Sequence, residues 1–416
     1  MLTREENERL TRVGPETPMG NLMRRYWMPA LLSTELPEPD GPPVRVRLLG
    51  EDLVAFRATN GDIGLIDEYC PHRRASLWLG RNEDNGLRCV YHGWKFDVKG
   101  QCIDQMNEPR SFAHKIRTTS YLTVEFGGII WTYMGPPELM PAEPKFEWTQ
   151  APEERRYVSK VLQESNWLQA LEGGIDTSHF SILHRALKKN PSEEGIPIDS
   201  PAVKSAPKLE LEKTSYGYRY FGIRQQESND LYVRAYHFIM PFTQLRPPGP
   251  GKNHVHGHFW VPVDDHHCMV WNFYRSYEGP IGSEAEAVDG GGGNDPEHID
   301  AENNFLSIRR AHNDWLINRN VQRTDTFTGI KGINQQDRAV QESMGPIVDR
   351  TKEHLGPADK AISIARRLLL AATDAVERGE EPPGLQPEYW DLRPAESTFS
   401  AAEEWKEKIV PMMQVD

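Results

Sequence analysis

Cysteine is scarce in this sequence, and no long apolar run is present. Four cysteines occur among 416 residues, too few for the dense disulfide framework of small secreted domains. No stretch approaches the roughly 18 consecutive apolar residues that span a bilayer, and the mean hydropathy is -0.64. The opening residues, MLTREENERL, lack the apolar core of a secretory signal peptide. We therefore expect a cytoplasmic protein with no membrane partner.

Basic residues are also in deficit. The chain carries 48 Lys and Arg against 61 Asp and Glu, which gives a net charge of -13. Proteins that bind nucleic acid present a basic face, so this balance argues against a nucleic-acid partner. The overall field also repels anions, because the charge of the whole molecule adds up at long range. An anionic substrate would therefore need a local group of Arg or Lys.

The length predicts about two to three domains, and the pattern of apolar runs and turn-forming residues predicts an α+β fold. Residues 1–40 are expected to form a helical lead-in that packs on the second domain. Short strand-like runs split by Gly, Asn and Asp predict a small all-β domain over 41–137. Residues 138–416 alternate like an antiparallel sheet in parts and show helical periodicity in others. Gly290–Gly293 predicts a mobile loop.

Two loops of the first domain each combine a cysteine with a histidine. Cys70 and His72 form one pair, and Cys89 and His92 form the other. A structural zinc ion accepts this donor set, and so does a two-iron cluster held by two Cys on one iron and two His on the other. Zinc sites usually pair like with like, whereas each loop here is mixed. Gly93, directly after the second pair, permits a close backbone approach. The pattern favours the two-iron cluster over zinc.

A second group of possible ligands lies in the stretch GIDTSHFSILHRA. It contains Asp176, His179 and His184. On a helix, steps of about 100° per residue place Asp176 and His179 on one face but the two histidines about 140° apart. The helix must therefore end or widen after His179 if both histidines bind one metal. Asp176 suits a hydrogen bond to His179, since ligand histidines commonly donate to a carboxylate. Upstream, Asn166 and Glu172 either line this pocket or bond within the helix.

These two patterns together resemble a known family. The text CPHRRASL and CVYHGWKFD closely resembles the Rieske domain of ring-hydroxylating oxygenases. The Asp-x-x-His-x(4)-His run is similar to the segment that supplies two imidazoles to their catalytic non-haem iron. MGNLMRRYWMPALLS and DRTKEHLG are similar to the phthalate dioxygenase branch. The resemblance implies an N-terminal all-β Rieske domain and a C-terminal helix-grip-like catalytic domain, with an antiparallel sheet flanked by helices.

The resemblance also implies the cofactors and their ligands. A Rieske [2Fe-2S] cluster would be held by four residues: Cys70, His72, Cys89 and His92. A mononuclear Fe(II) would be bound by His179, His184 and a carboxylate far downstream. Asp337 matches that carboxylate position best, and three other acids compete with it: Glu342, Asp325 and Asp349. Two His and one carboxylate leave open positions on one face of the iron.

The family pattern further implies an assembly and an electron source. In the family, the aspartate equivalent to Asp176 contacts a cluster histidine of a neighbouring subunit, which would be His92 here. This implies a homotrimer, or two stacked trimers forming a hexamer. Electrons from NAD(P)H would reach the cluster through a flavin and iron-sulfur reductase, and O2 would be the co-substrate. The cofactors supply the difficult chemistry, while the protein supplies binding and orientation.

The expected reaction is hydroxylation, as cis-dihydroxylation, of an aromatic carboxylate such as a phthalate or a substituted benzoate. Arg234 and Arg246 are candidates to bind the carboxylate, because Arg can pair with it in two parallel bonds; a surface or capping role stays open for each. Within the family the alternatives are an aryl ether O-demethylase and a diaryl ether-cleaving oxygenase. A non-catalytic Rieske electron carrier is the alternative of another class, although it would need no run such as His179 to His184.

Two further histidine-rich stretches are weaker metal candidates. His254, His256 and His258 would share one face of a strand, and no carboxylate or cysteine completes the set nearby. We interpret them as facing a polar pocket or solvent. Asp264–Cys268 lies between two strand-like runs and predicts a hairpin turn.

Overall fold

The computed structural model describes residues 1–191, 195–248, 254–281 and 296–415. The predicted loop Gly290–Gly293 lies outside these ranges. Two compact units make up the chain: Val13–Glu143, and Met1–Arg12 together with Pro144–Asp416. Within the described ranges, no helix is both long enough and apolar enough to cross a membrane.

Among the described residues, the α-helices are α1 Arg4–Thr11, α2 Pro18–Met23, α3 Trp167–Ile175, α4 Arg319–Thr324, α5 Ile333–Ser343, α6 Lys360–Glu377 and α7 Trp405–Ile409. The strands of the first unit are β1 Trp27–Leu32, β2 Val44–Leu48, β3 Glu51–Arg57, β4 Ile63–Asp67, β5 Arg81–Glu83, β6 Gly86–Arg88, β7 Trp94–Phe96, β8 Cys102–Gln105, β9 Ser120–Phe126 and β10 Ile129–Tyr133. Those of the second unit are β11 Arg156–Gln163, β12 Lys208–Thr214, β13 Gly217–Gln225, β14 Leu231–Ile239, β15 Thr243–Arg246, β16 His254–Pro262, β17 Cys268–Ser276, β18 Ile299–Asp300, β19 Leu306–Ser307 and β20 Ala395–Phe399.

The first unit is built from antiparallel sheets. One sheet has the strand order β1-β10-β9-β4-β3-β2, and a smaller one has the order β5-β6-β7-β8. Gly127 and Gly128, with φ of 67° and 82°, form the tight turn between β9 and β10; such hairpin turns need positive φ and favour glycine. The core contains apolar side chains such as Phe56 and Phe96, and it surrounds the buried Cys70 and Cys89. The prediction that the first domain has an all-β fold is confirmed.

The segment 1–40 differs from the predicted helical lead-in. Helix α1 belongs to the second unit, where Asn7 Nδ2 donates to the carbonyl of Val348 at 3.1 Å. From Val13 onward the chain belongs to the first unit, and β1 pairs with β10. The β1 segment WMPALL is apolar along its whole length, so it is buried on both faces and periodicity alone does not distinguish it from a helix. A register shift follows Pro29, which lacks the donor that a regular ladder requires.

The second unit has the predicted sheet flanked by helices. Its largely antiparallel sheet runs in the order β12-β13-β14-β15-β16-β17-β11-β19-β18, and β20 pairs with β14. Helix α3 lies directly on this sheet. A Cβ atom on Gly174 would fall 2.0 Å from the Trp260 ring of β16, so only glycine permits this contact. The close approach brings the end of α3, and the residues that follow it, against the sheet face.

Candidate metal centres

Three predicted ligands converge at the end of α3. His179 Nε2 lies 3.2 Å from His184 Nε2, and Asp337 Oδ1 lies 3.3 Å from each of these nitrogens. Metal bonds of about 2.1 Å at right angles would separate neighbouring donors by about 3 Å. Two imidazoles and one carboxylate on a single face are the donor set of non-haem Fe(II) oxygenases. The residues therefore fit one iron ion.

Hydrogen bonds at Nδ1, the ring nitrogen that faces away from the triad, orient both imidazoles. His179 Nδ1 lies 3.2 Å from Asp176 Oδ2, and His184 Nδ1 lies 2.9 Å from Gln336 Oε1. Gln336 is itself held, because its Nε2 donates to the carbonyl of Ile330 at 2.9 Å. Each ring therefore directs Nε2 toward the centre of the triad, as expected when outer partners fix the tautomer of ligand histidines. Sequence reasoning missed Gln336; its only signal is its place beside Asp337.

The turn that carries Asp176 and His179 begins earlier than predicted. Helix α3 ends at Ile175, and a short 3-10 turn covers His179–Ser181. Asp176 is the C-cap of α3, and its carboxylate accepts hydrogen bonds from the backbone N–H groups of Ser178 at 2.6 Å and His179 at 3.2 Å. Asp176 and His179 meet in this turn and not on a helical face. The helix does end before His184, as two ligands on one metal require.

Side chains from the sheet satisfy the carbonyls at the end of α3. Gln244 Nε2 donates to the carbonyl of Gly174 at 2.7 Å, and the Tyr220 hydroxyl donates to that of Ile175 at 3.0 Å. Carbonyls at a helix end lack partners within the helix, so these bonds satisfy them and favour termination here. Because the two donors lie far from α3 in sequence, helical periodicity did not indicate this end point.

The triad is strongly charged. Burial lowers the pKa of His179, but its hydrogen bonds with Asp176 and Asp337 outweigh burial and raise the pKa to about 10. Burial opposes ionisation of Asp337, yet the charges of His184 and His179 together with their hydrogen bonds hold its pKa well below the usual range. The site is thus arranged for a cation beside two carboxylates. A bound metal ion would take the place of the proton on His179.

The other acids considered as iron ligands have different partners. Glu342 accepts a hydrogen bond from Trp315 Nε1 at 2.7 Å. Asp325 forms an ion pair with Lys188 at 2.7 Å, and Asp349 caps the short helix that follows it. In the described part of the chain, the triad of His179, His184 and Asp337 is the group of donors that lies within 4.8 Å.

A cavity opens beside Asp337. Its empty volume is about 320 Å³. Cationic, polar and apolar side chains all line it. The lining includes Arg246, His258, Trp260, Val270, Asn334 and Arg338. Arg246 lies on β15 and His258 on β16, so this part of the sheet forms one wall of the cavity.

The two predicted carboxylate-binding arginines occupy different places. Arg246 lines the cavity and donates from Nη2 to Asn334 Oδ1 at 3.4 Å. Arg234 is not among the lining residues; its Nη2 donates to the carbonyl of Pro247 at 2.6 Å. Its guanidinium lies 4.4 Å from the centre of the Phe180 ring. The cavity therefore favours Arg246 as the partner of a substrate carboxylate.

The weaker metal candidates have contacts of their own. His258 Nδ1 lies 2.7 Å from Asn272 Oδ1. His267 Nδ1 lies 2.9 Å from Asp264 Oδ1, in the turn between β16 and β17. Asn166 caps the start of α3 through a bond from Leu168 N–H at 3.0 Å.

The four cysteine and histidine residues of the first unit lie in two loops. Cys70 and His72 follow β4, whereas Cys89 and His92 lie between β6 and β7. The second loop is closed by a bond from Gly93 N–H to the carbonyl of Cys89 at 2.9 Å. Gly93 has a φ of 77°, and a Cβ there would lie 2.8 Å from Met106 Cβ. Both observations explain the glycine.

The donors in these loops form one sulfur pair and one nitrogen pair. The rings of His72 and His92 are 4.5 Å apart, and the two thiols are hydrogen-bonded to each other. That bond lowers the pKa of Cys89 to about 6 and, together with burial, raises the pKa of Cys70. No three of the four donor atoms lie within 4.8 Å of one another, whereas a tetrahedral zinc ion would hold all four about 3.5 Å apart. This separation fits a two-iron cluster with sulfur on one side and imidazole on the other.

Comparison with known proteins agrees with both sites. The sequence profile of the Rieske [2Fe-2S] domain matches residues 26–120, and that of the LigXa C-terminal domain matches residues 132–407. The chain is 40% identical to the phthalate 4,5-dioxygenase oxygenase subunit of Pseudomonas putida over 394 residues, which are 92% of this chain and 89% of that protein. It is also 40% identical to the 3-chlorobenzoate-3,4-dioxygenase oxygenase subunit of Comamonas testosteroni over 406 residues, 92% of each chain.

Other relatives and solved structures support the same family. The 5,5'-dehydrodivanillate O-demethylase oxygenase subunit of Sphingobium sp. is 34% identical over 397 residues, 92% of this chain and 84% of that protein. The structure of Pseudomonas putida CBB5 NdmA with caffeine has the same fold, with a TM-score of 0.61 at 21% identity over 87% of this chain and 94% of that one. The predicted family, fold, enzyme class and cofactors are confirmed, and the carrier and zinc alternatives are excluded. The chain therefore belongs to the Rieske non-haem iron oxygenases, in the phthalate dioxygenase branch, whose oxygenase subunits use a [2Fe-2S] cluster, a mononuclear iron and O2 with electrons from a reductase.

Proposed function

We propose that this enzyme cis-dihydroxylates an aromatic carboxylate of the phthalate or substituted benzoate type. The observation that carries the proposal is Arg246, which lines the same cavity as Asp337 in a protein of net charge -13. Arg338 adds a second cation to the lining. An acidic protein needs such a local cationic group to attract an anion. Two of its relatives are named as dioxygenases of aromatic carboxylates.

Each part of the chain has a task in this proposal. His179, His184 and Asp337 hold the mononuclear iron, and the four loop residues hold the cluster: Cys70, His72, Cys89 and His92. When bound, the cluster supplies electrons and the iron supplies oxygen activation. Asp176 and Gln336 keep the ligand imidazoles in orientation through their Nδ1 atoms.

The cavity wall positions the substrate. Arg246 pairs with the carboxylate, and a bidentate pair fixes the direction of the ring as well as its distance. Trp260 and Val270 supply apolar surface for the ring face. The ring carbons to be oxidised then lie on the side of the cavity formed by Asp337.

A second candidate function is O-demethylation or cleavage of an aryl ether. It is favoured by the relative named 5,5'-dehydrodivanillate O-demethylase, and by a phenoxybenzoate dioxygenase subunit that is 28% identical over 395 residues.

We also propose that the enzyme works in the cytoplasm as a homotrimer or stacked hexamer, with a flavin and iron-sulfur reductase that uses NAD(P)H. The contact between Asp176 and His92 of a neighbouring subunit is part of this proposal. The single chain supports this contact, because the Asp176 side chain is bonded to His179 and still has 18% of its surface exposed. That surface is available to a neighbouring subunit.

A substrate panel with the purified oxygenase, a reductase and NADH tests the proposed reaction. O2 uptake and product formation are measured for phthalate, substituted benzoates, their methyl esters and methoxylated aryl ethers. We expect coupled oxidation of the free acids and little turnover of the esters, because the ester removes the charge that Arg246 binds. Faster turnover of the ethers, or equal turnover of acid and ester, would contradict the proposal.

A further inference from the structure

Two arginines lie beneath the turn that carries the iron ligands. Arg224 on β13 is fully buried, and Arg234 on the adjacent β14 is 3% exposed. In the register of the two strands, Gly222 faces Arg234, so Arg224 and Arg234 point to the same face of the sheet. This is the face on which the end of α3 rests.

Both arginines contact the segment between Asp176 and His184. Arg224 Nη2 donates to the carbonyl of Thr177 at 2.5 Å. The Arg234 guanidinium lies 4.4 Å above the Phe180 ring, within the range of a cation–π contact. Phe180 in turn meets the His184 ring edge-on at 5.6 Å. Each arginine therefore touches a residue next to, or packed on, a member of the iron site.

The sheet is shaped to receive this segment. A Cβ on Gly222 would lie 3.1 Å from Thr177 Cγ2 and 3.2 Å from Thr177 Oγ1, so glycine leaves the space in which Thr177 sits. The Thr177 hydroxyl is also 2.9 Å from the Tyr236 hydroxyl. Three contacts thus fix the position of Thr177: its carbonyl accepts from Arg224, its hydroxyl bonds Tyr236, and its side chain occupies the space above Gly222.

The charge of Arg224 is poorly compensated, whereas nearby Tyr236, Tyr232 and Glu396 outweigh burial and raise the pKa of Arg234. Among the described residues, Arg224 has no carboxylate within 4.0 Å, and Arg234 has only Glu396, at 3.7 Å. The Nε and Nη1 atoms of both arginines have no hydrogen-bond partner there. Burial lowers the pKa of Arg224, and the nearby Arg234 lowers it further. A buried charge such as that of Arg224 contributes little to stability, because apolar side chains of similar size often serve as well or better.

These unpaired nitrogens are also closed to a ligand. Each exposes less than 1 Å² of surface, and neither arginine lines the cavity beside Asp337. A substrate carboxylate therefore cannot reach them in this arrangement. Binding of substrate and stabilisation of the fold are both poor explanations, and the contacts that remain lead to the iron-binding segment.

We infer that Arg224 and Arg234 are positioning residues that hold residues 177–180 on the sheet and thereby place His179 and His184 for iron binding. The inference rests on the iron site proposed above. The arginines act through Thr177 and Phe180 and touch neither the iron ligands' donor atoms nor the substrate. Their value to the enzyme is the retention of the iron.

The test compares iron retention with stability in Arg224→Met. The rate of mononuclear iron loss to excess chelator is measured without any aromatic compound, with the visible spectrum of the cluster as an internal reference. We expect iron loss to be about 10- to 100-fold faster, as for other residues that orient metal ligands. The melting temperature, measured after removal of the mononuclear iron, should fall by no more than about 3 °C.

Three further variants complete the test. Gly222→Ala keeps both arginines but displaces Thr177, so iron loss should again accelerate. Arg224→Lys keeps a charge and a donor, and iron loss should fall between wild type and Arg224→Met. Arg219→Met is the matched control, because Arg219 lies on the opposite face of β13 and pairs with Glu212 at 2.7 Å; its iron loss should equal that of the wild type.

Two outcomes overturn the inference. Unchanged iron retention in Arg224→Met or Gly222→Ala would show that the contacts of Thr177 with the sheet do not position the iron ligands. Faster iron loss with a large fall in the melting temperature of the iron-free protein would show a merely structural role. A wild-type enzyme that retains iron but oxidises no aromatic acid would contradict the proposed substrate alone, since the retention assay contains none.

Discussion

The two aspartates near the iron ligands differ in role because of the nitrogen each one faces. Asp176 meets the Nδ1 atom of His179, whereas Asp337 meets the Nε2 atoms of His179 and His184. An imidazole uses one nitrogen for a metal and the other for a hydrogen bond. The same side-chain chemistry therefore supplies an orienting group in one case and a proposed ligand in the other.

Replacement of Asp337 should remove the iron without affecting the cluster. In Asp337→Ala two imidazoles remain, and they bind a hard ferrous ion too weakly to retain it through purification. We expect full cluster absorbance and less than about a tenth of the wild-type mononuclear iron, measured by iron analysis after subtraction of the cluster. Asp349→Ala, an exposed cap, is the control. Full iron retention in Asp337→Ala would assign the third ligand to another residue.

Replacement of Arg246 should weaken substrate binding selectively. A bond to a charged partner contributes about 1.5 to 3 kcal/mol, so Arg246→Met should raise KM for aromatic acids by about 10- to 100-fold. Iron content should stay at the wild-type level, because Arg246 is not one of the three proposed iron ligands. Steady-state kinetics with acid and methyl ester measure the effect. An equal KM in variant and wild type would remove Arg246 from substrate binding.

At the scale of elements, α3 packs between the sheet of the second unit and its helices α1, α5 and α6. Its C-terminal end lies on the sheet. Glu172, in the middle of the helix, pairs with Arg350 at 2.9 Å and with Arg366 of α6 at 2.6 Å. Arg366 also bonds Glu353 at 2.6 Å, so the buried charges form a connected network. Glu172, which the sequence left between a pocket role and a helical one, is a structural residue.

Breaking this network should destabilise the second unit. Glu172→Gln leaves two buried arginines short of a negative charge, and we expect a loss of about 3 to 5 kcal/mol in the free energy of unfolding. Chemical denaturation followed through tryptophan fluorescence measures this loss. Glu212→Gln, which weakens partly exposed pairs with Arg219 and Lys406, should cost less than about 1 kcal/mol. A loss in Glu172→Gln no larger than in this control would show that the network is not stabilising.

The same network predicts a pH dependence. Burial acts to raise the pKa of Glu172, but the charges of Arg350 and Arg366 outweigh it and lower the pKa below the ordinary 4.5. A carboxyl whose folded pKa is depressed contributes stability above its unfolded pKa and loses it as the pH falls. Denaturation curves below about pH 4.5 should therefore show a steeper loss of stability in the wild type than in Glu172→Gln. Parallel curves would contradict this assignment.

At the scale of the whole molecule, the proposed electron path requires more than one chain. The cluster loops belong to the unit Val13–Glu143, and the iron triad belongs to the other unit. We propose that the contact which joins them forms between Asp176 of one subunit and His92 of another. Such a contact makes the oligomer a condition of activity, and not only of stability.

Mixed oligomers test this path. Cys70→Ala should lack the cluster and Asp337→Ala should lack the iron, so each variant alone should be inactive. Co-expressed and assembled together, they should regain a substantial part of the activity, because an intact cluster then faces an intact iron on a neighbouring subunit. Product formation per mixed oligomer measures the recovery. No recovery in mixtures shown to contain both chains would indicate an electron path within one chain.

Asp176→Asn tests the contact itself. The amide keeps the size of the side chain, so both metals should be retained, but the carboxylate needed at the subunit boundary is lost. We expect coupled turnover to fall by at least about 100-fold, with product and O2 uptake measured together. Near-normal turnover would remove Asp176 from the path.

The sequence by itself determined the candidate ligands that lie close together along the chain. At most four residues lie between the members of each pair: Cys70 and His72, Cys89 and His92, and His179 and His184. Residues this close in sequence stay close in space, because a short loop or turn joins them. The alternation of apolar residues likewise predicted the sheet. The segment Trp27–Leu32 was mistaken for helix, since a strand buried on both faces shows no alternation.

Only the tertiary structure decided the rest. It brought Asp337 to the two histidines, placed Gln336 behind His184, and ended α3 at Ile175 through Gln244 and Tyr220. It also separated Arg246, on the cavity, from Arg234, beneath the iron ligands. The physical reason is that these contacts join residues far apart in the chain. They depend on strand register and on close packing, and neither can be predicted from the spacing of residues that are near each other in sequence.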